Sequence, residues 1–252
     1  METARYLRRL GLERPSLPSL PALRSLQRAH LERVPFENAS VLWGEPIVLE
    51  TGRLVAKVAE QGRGGFCFEL NGAFAWLLAE VGFDVALVPG RFWSDRGLGP
   101  VNEHLALRVT LDGEPWLVDV GAGYSFREPL RLVIGPEQED PAGRFRLVTV
   151  SDDPVSIDVE WLHGDGTWRP HYRFEDRAVG LDAFIDVCEF LCTSSESPFT
   201  RGWICARALP GGWATLDGSH LVVTDGAERI DETREGDALD AALKRWFFIA
   251  RP

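Results

Sequence analysis

The chain has 252 residues, of which 45% are apolar and 26% charged, a globular composition that excludes a disordered or fibrous protein. A chain of this length can bury enough apolar surface to fold without disulfide bonds or a structural metal. Its 27 Lys and Arg residues against 38 Asp and Glu residues give a net charge of −11. That charge argues against nucleic acid or an anionic membrane as the main partner.

No apolar run approaches the roughly 18 residues that a membrane span requires. The residues from Met1 to Gly11 carry arginines with no apolar stretch behind them, so no secretory signal is expected. The 4 cysteines of such a chain do not suggest a disulfide framework. We therefore expect a cytoplasmic protein with reduced thiols.

The first third of the chain is predicted to be helical. Ser19 can cap a helix with one stripe of inward residues, namely Leu23, Leu26, His30 and Val34. Thr51 can cap a second helix, whose inward residues are Leu54, Val55 and Val58. A third helix is predicted to begin near Cys67 and to end at Gly82.

From Val85 onward the apolar residues recur with a period of two, which indicates strands. The strand-like runs are Leu105–Leu111, Trp116–Val120, Phe145–Val150, Ser156–Leu162 and Trp168–Phe174. Turn signals at Asp112-Gly113 and Asp165-Gly166 separate closely spaced hairpins, which predicts an antiparallel barrel or sandwich. The segment Gly135–Gly143 has the composition most typical of a linker.

The last part of the chain mixes helices with short strands. A helix is predicted over Leu181–Leu191 and a final helix over Ala238–Ile249. Between them, the predicted strands are Ile204–Leu209, Trp213–Leu216 and His220–Val223. The sequence thus predicts an α+β protein of three modules: helical over residues 1–84, all-β over 85–185 and mixed over 186–252.

Cys67 is the first candidate for chemistry. Gly62, Gly64 and Gly65 precede it and allow a backbone path closed to other residues, and Cys67 then lies at a helix start. Free N–H groups and the positive end of the helix dipole favour a thiolate there. A small buried apolar residue is the alternative interpretation of a lone cysteine.

A thiolate nucleophile needs a proton partner, and that partner needs an orienting group. If Asp112-Gly113 is a two-residue turn, Leu111 lies opposite Glu114, and His104 lies diagonal to Asp119 on one face of the hairpin. Asp119 stands among apolar residues, an unusual place for a carboxylate without a partner. The pattern predicts a Cys67–His104–Asp119 triad.

Three segments resemble the arylamine N-acetyltransferases: Arg63–Asn71 (RGGFCFELN), His104-Leu105 and Trp116–Gly121 (WLVDVG). The resemblance extends to Tyr6–Gly11 and to Ser197–Gly202, and so covers nearly the whole chain. It implies an N-terminal helical bundle, a central antiparallel β-barrel and a C-terminal α/β lid, with a cysteine-protease-like Cys-His-Asp core. It also implies acetyl-CoA as donor, an arylamine or hydrazine acceptor and a ping-pong route through an S-acetyl cysteine.

Further roles follow only from the resemblance. It implies an ion pair of Arg63 with Glu37 behind the triad, and Arg9 at a recurrent position near it. Seen alone, each of these residues would be interpreted as a surface charge. The resemblance implies no metal, and it leaves the oligomeric state open, with a homodimer as one arrangement.

The implied binding residues include one departure from the family pattern. The acceptor pocket is expected at Phe36, Ala122 and Phe199, and coenzyme A at Gly121, Gly123 and Tyr124. Many bacterial members have an aromatic residue at the position of Ala122, so we expect a larger acceptor pocket unless Tyr124 fills the space. A larger pocket raises the alternative of a macrolactam-forming amide synthase.

Two further functions stay open at the level of sequence. A thiol hydrolase or transglutaminase-like enzyme also uses cysteine, histidine and aspartate in this order, and a degenerate fold could bind an aromatic metabolite without catalysis. Cys188 and Cys192 lie one helical turn apart, but no nearby Cys or His completes a tetrahedral set. We interpret them as buried thiols rather than as a zinc site.

Overall fold

The computed structural model describes residues 1–151 and 153–250. Its N-terminal region contains helices α1 (Glu2–Leu10), α2 (Leu20–Arg33), α3 (Ala39–Leu42), α4 (Thr51–Ala59) and α5 (Cys67–Glu80), with a short strand β1 (Phe36–Glu37). Helix α1, which was not among the predicted elements, ends at Gly11 in the left-handed conformation with φ +65°. In the described part of the chain, no helix combines the length and apolarity needed to cross a membrane.

The helices follow the predicted apolar stripes. Ser19 caps α2 by accepting a 3.4 Å hydrogen bond from the N–H of Ala22. The inward residues of α2 and α4 are buried as predicted: Leu23, Leu26, His30, Leu54, Val55 and Val58. The cap predicted for α4 is wrong, because Thr51 is already the first helical residue and Glu50 occupies the cap position without a side-chain cap bond.

The central region is a nearly closed antiparallel barrel. Its strands are β2 (Asp84–Ser94), β3 (Gly97–Leu98), β4 (His104–Leu111), β5 (Glu114–Val118), β6 (Leu130–Arg131), β7 (Gln138–Asp140), β8 (Gly143–Val150), β9 (Asp153–Leu162) and β10 (Trp168–Glu175). They pair in the order β6-β5-β4-β2-β10-β9-β8-β7, with β3 on β2. The side chain of Gln138 exchanges hydrogen bonds of 2.8 and 2.9 Å with the backbone of Arg131, which joins the two end strands. The linker predicted over Gly135–Gly143 therefore contains a barrel strand instead.

The barrel interior is apolar, and α5 packs on its outside against β2 and β4. The interior side chains include Val88, Ala106, Leu117, Phe126, Phe145 and Tyr172. On the other face, Leu105, Leu107 and Val109 of β4 join the core of the helical region. The barrel thus carries His104 at the start of β4, directly beside the helix that begins with Cys67.

A short 3-10 turn (Leu181–Phe184) leads into the C-terminal region. That region contains helix α6 (Ile185–Thr193), a second 3-10 turn (Pro198–Thr200), strands β11 (Ile204–Leu209), β12 (Gly212–Asp217), β13 (His220–Asp225) and β14 (Glu228–Thr233), and helix α7 (Gly236–Phe247). Its sheet runs β1-β11-β12-β13-β14, with Phe36 opposite Ala206 and Glu37 opposite Cys205. The predicted α+β class is confirmed, and β1 ties the helical region to the C-terminal sheet.

Candidate active site

A tightly packed glycine turn leads into the candidate nucleophile. A Cβ on Gly64 would overlap the carbonyl oxygen of Pro35, and one on Gly65 would lie 2.5 Å from Glu69 Oε2. The N–H of Glu37 donates to the carbonyl of Gly65 at 2.9 Å, so the turn lies directly against β1. Side chains larger than glycine would push the turn away from β1 and displace the residue that follows it.

Cys67 is the first residue of α5 and is 4% exposed. Its Sγ lies 3.8 Å from the carbonyl oxygen of Glu103. Burial raises the pKa of the thiol, and the Asp119 carboxylate adds to this, although backbone N–H groups of Leu105 and Phe68 act in the opposite direction. The N–H groups at the helix start thus favour the thiolate as expected, but burial outweighs them, and the thiol requires a base.

His104 and Asp119 meet as the hairpin register predicts. Asp112 and Gly113 both have positive φ, and Leu111 lies opposite Glu114. This register brings His104 Nε2 within 2.7 Å of Asp119 Oδ2, with both side chains fully buried. The carboxylate thus fixes the orientation of the imidazole.

The hydrogen bonds around the imidazole determine its tautomer. Because Nε2 faces the carboxylate, the neutral ring holds its proton on Nε2 and leaves Nδ1 as the base. His104 Nδ1 is buried and has no hydrogen-bond partner among residues 1–151 and 153–250. Phe92 and Tyr172 pack on the ring, with centroids 4.7 and 5.1 Å away. The ring therefore holds a free basic nitrogen in an apolar setting.

Asn71 binds the triad carboxylate and was not identified as a site residue from the sequence. Its Nδ2 donates to Asp119 Oδ1 at 2.9 Å and to the carbonyl of Leu105 at 2.5 Å, and its Oδ1 accepts from the N–H of Val120 at 3.0 Å. The N–H of Gly121 donates to the same Asp119 oxygen at 2.8 Å. The available signal was spacing, because Asn71 is a polar residue four positions after Cys67, on the same face of a largely apolar helix.

These contacts set the charge state of Asp119. Burial acts to raise its pKa, but the charge and hydrogen bond of His104, together with the Asn71 and Gly121 bonds, outweigh it. The net effect lowers the pKa of Asp119 below its usual range. The carboxylate is therefore ionised near neutral pH and can stabilise a protonated imidazole.

The residues expected behind the triad hold the glycine turn. Arg63 Nε lies 3.5 Å from Glu37 Oε1, and its guanidinium covers the Trp43 ring at 4.6 Å. Arg9 donates to the carbonyls of Val58 and Arg63, the latter at 2.6 Å. Burial lowers the pKa of Arg9 to about 10, partly offset by Tyr6 and Glu37, so it stays charged near neutral pH.

Among the expected binding residues, Phe36, Phe199 and Gly123 lie near one another, whereas Gly121 packs against Cys67. The Phe36 and Phe199 rings lie 6.1 Å apart, and Gly123 approaches Phe36, since a Cβ there would be 3.9 Å from the ring. A Cβ on Gly121 would lie 2.7 Å from the Cα of Cys67, so its role in the structure is close packing. Ala122 is partly buried.

Tyr124 does not pack on the Phe36 and Phe199 rings. It is 46% exposed, and its ring packs on Trp161 of the barrel at 5.0 Å and on Trp213 of the C-terminal sheet at 5.1 Å. Tyr124 therefore bridges two regions of the fold. As for metals, the described residues contain no group of three His, Cys, Asp or Glu side chains able to hold one.

Comparisons with known proteins agree with this arrangement. A family model described as N-acetyltransferase matches residues 19–250. The arylamine N-acetyltransferase of Mycolicibacterium smegmatis is 32% identical over 257 residues, covering 98% of this chain and 91% of the relative. The arylamine N-acetyltransferase / N-hydroxyarylamine O-acetyltransferase of Salmonella typhimurium is 39% identical over 222 residues, with 86% and 76% covered. The structure of Mycobacterium marinum arylamine N-acetyltransferase in complex with CoA superposes with a TM-score of 0.90 at 28% identity, covering 98% of this chain and 92% of that one.

Proposed function

The chain belongs to the arylamine N-acetyltransferase family, and from this premise we propose how its own residues transfer an acetyl group from acetyl-CoA to an arylamine or arylhydrazine. The observation that carries the proposal is the 2.7 Å contact of His104 Nε2 with Asp119, which leaves Nδ1 as a free base beside the helix that begins with Cys67. The relative solved in complex with CoA supports acetyl-CoA as the donor.

In the first half-reaction, His104 Nδ1 takes the thiol proton while Cys67 Sγ attacks the thioester carbonyl carbon. The bond from that carbon to the sulfur of coenzyme A breaks, and the imidazolium returns the proton to the departing thiolate. Asp119 stabilises the imidazolium between these two steps. The products are free coenzyme A and an S-acetyl group on Cys67.

In the second half-reaction, the amine nitrogen attacks the acetyl carbon of the intermediate. His104 Nδ1 takes the proton that the nitrogen loses, and the carbon–sulfur bond to Cys67 breaks. The N–H groups of Leu105 and Phe68, which lower the pKa of the Cys67 thiol, stabilise the charge on the leaving thiolate. The amide leaves, and the enzyme returns to its starting state.

We propose supporting roles for the remaining residues. Arg63, Glu37 and Arg9 are positioning residues, because each contacts the glycine turn or the strand beneath it. Phe36, Ala122 and Phe199 line the acceptor pocket, and Gly121, Gly123 and Tyr124 border the path of coenzyme A. The division into residues 1–84, 85–185 and 186–252, the cytoplasmic location and the homodimer stay predictions.

The time course of coenzyme A release tests this function. With acetyl-CoA alone, the enzyme should release about one equivalent of coenzyme A and then stop until an arylamine is added. A thiol hydrolase would continue to release coenzyme A without amine, and that result would refute the proposal. The comparisons do not favour the hydrolase or the amide synthase.

A further inference from the structure

A groove with a volume of about 530 Å³ lies between helix α6 and the irregular segment 44–50. We call it the α6 groove. Its apolar lining consists of Val41, Pro46, Ile47, Val48, Leu49 and Ile185. Two thiols, those of Cys188 and Cys192, lie in the same lining. The groove does not include any residue of the triad.

The two thiols form a pair on one face of α6. They are separated by four positions, which is one helical turn, and neither is in a disulfide. Cys188 is 4% exposed, whereas Cys192 is partly exposed to the groove. Both side chains line the same groove from adjacent turns of one helix face, so the two thiols face one space.

The number of sulfur ligands that the pair offers indicates which ligand it can bind. A zinc ion requires about four ligands. Glu45, Glu50 and Glu189 also line the groove, but no three His, Cys, Asp or Glu side chains of the described residues are placed to hold a metal. A disulfide would place the two sulfurs about 2.05 Å apart, but both cysteines are free. A trivalent arsenic atom that carries one aryl group needs only two soft sulfur ligands to be complete.

We propose that Cys188 and Cys192 form a dithiol site for a trivalent aryl arsenical, with the aryl group in the α6 groove. In the reaction, two arsenic–oxygen bonds of the hydrated arsenical break and two arsenic–sulfur bonds form. The two thiol protons leave with the oxygens as two water molecules, and arsenic stays trivalent. Ile47 and Ile185 supply the apolar surface for the ring.

Phenylarsine oxide is the probe, and intact-mass spectrometry in excess monothiol is the readout. The wild-type protein should keep one phenylarsenic adduct in the presence of glutathione and lose it to 2,3-dimercaptopropanol. Cys188→Ser and Cys192→Ser should each lose the adduct. Cys205→Ser removes a buried thiol outside the groove and should keep it, as should Cys67→Ser.

The set of variants that keep the phenylarsenic adduct also shows which cysteines bind arsenic. An adduct that disappears only in Cys67→Ser would assign arsenic to the candidate nucleophile, and an adduct kept by both groove variants would place it elsewhere. Either result, or no adduct that survives glutathione, would overturn the proposal. Because Cys192 is partly exposed, Cys192→Ser should fold even if Cys188→Ser does not, and thermal unfolding of each variant checks this.

A comparison of two arsenicals tests the groove itself. Phenylarsine oxide should bind at least about tenfold more tightly than inorganic arsenite, because its ring is removed from water. Ile185→Ala should reduce that preference without removing either adduct. Equal affinities in the wild-type protein would show that the ring does not enter the groove and would overturn that part of the proposal.

Discussion

Replacing Asp119 with asparagine keeps the shape of the side chain but forces a change of tautomer in His104. Oδ1 of Asp119 accepts from Asn71 Nδ2 at 2.9 Å and from the Gly121 N–H at 2.8 Å, so the new amide oxygen must occupy that position. The new NH2 group then faces His104 Nε2, which must become an acceptor. The ring proton moves to Nδ1, the atom that has to accept the thiol proton.

The expected loss of rate is large for two reasons. His104 Nδ1 carries a proton and cannot act as the base, and the imidazole no longer has a charged partner. A wrong tautomer in a triad of this kind costs about 10³ to 10⁴ in rate, which corresponds to about 4 to 5.5 kcal/mol. The assay is the single-turnover rate of coenzyme A release from acetyl-CoA, with no amine present. The Asn71 amide and the Gly121 N–H still donate to the side-chain oxygen at position 119, so the variant should fold.

Asp140→Asn is the matched control. The Asp140 carboxylate, on β7, accepts hydrogen bonds from the N–H groups of Arg127, Glu128 and Ala142 at 2.7–3.0 Å. This variant should lower thermal stability but leave the rate of coenzyme A release nearly unchanged. A folded Asp119→Asn protein with a rate near that of the wild type would refute the tautomer argument.

Three further predictions concern the thiol, the acceptor pocket and acid stability. His104→Ala should slow alkylation of Cys67 by iodoacetamide at pH 7 at least about tenfold, because burial raises the thiol pKa and the base is gone; labelling at the wild-type rate would contradict this. Ala122→Phe should lower kcat/KM for bicyclic amines roughly ten- to a hundredfold relative to small anilines, while acetylation of Cys67 changes little; an unchanged ratio would show that Ala122 does not face the acceptor. The pKa of Asp119 is lower in the folded protein than in the unfolded chain, so its ionised form stabilises the fold at pH values above the pKa of the unfolded chain. This stability is lost as the pH falls through the pKa of the folded protein. Chemical unfolding below about pH 4 should therefore show a steeper loss in the wild type than in Asp119→Asn, and parallel curves would contradict the sign.

The sequence predicts those parts of the site that depend on local geometry. The two-residue turn at Asp112-Gly113 sets the hairpin register, and the register alone brings His104 to Asp119. The start of α5 at Cys67 is likewise predictable, because the glycines before it exclude a helix. These relations act over a few residues and need no knowledge of tertiary packing.

Other features depend on tertiary packing and escape sequence reasoning. Cys67 belongs to the core of the helical region, and the resulting burial raises the pKa of its thiol more than the N–H groups at the helix start lower it. Strand β14 (Glu228–Thr233) has Ile230 as its one apolar residue and so no period-two apolar pattern, yet pairing with β13 holds it in the sheet. Asn71 belongs to a motif that the sequence shows, but its three hydrogen bonds join α5 to the β4–β5 hairpin and so depend on how these elements pack.

Peptide mapping of the enzyme after brief mixing with acetyl-CoA shows directly which residue carries the acetyl group. We expect one acetyl group, on the peptide that contains Cys67, and its loss when an arylamine is added. The same treatment of Cys67→Ser should give no acetylated thiol. An acetyl group on Cys188, Cys192 or Cys205, or one on Cys67 that an arylamine does not remove, would contradict catalysis through Cys67.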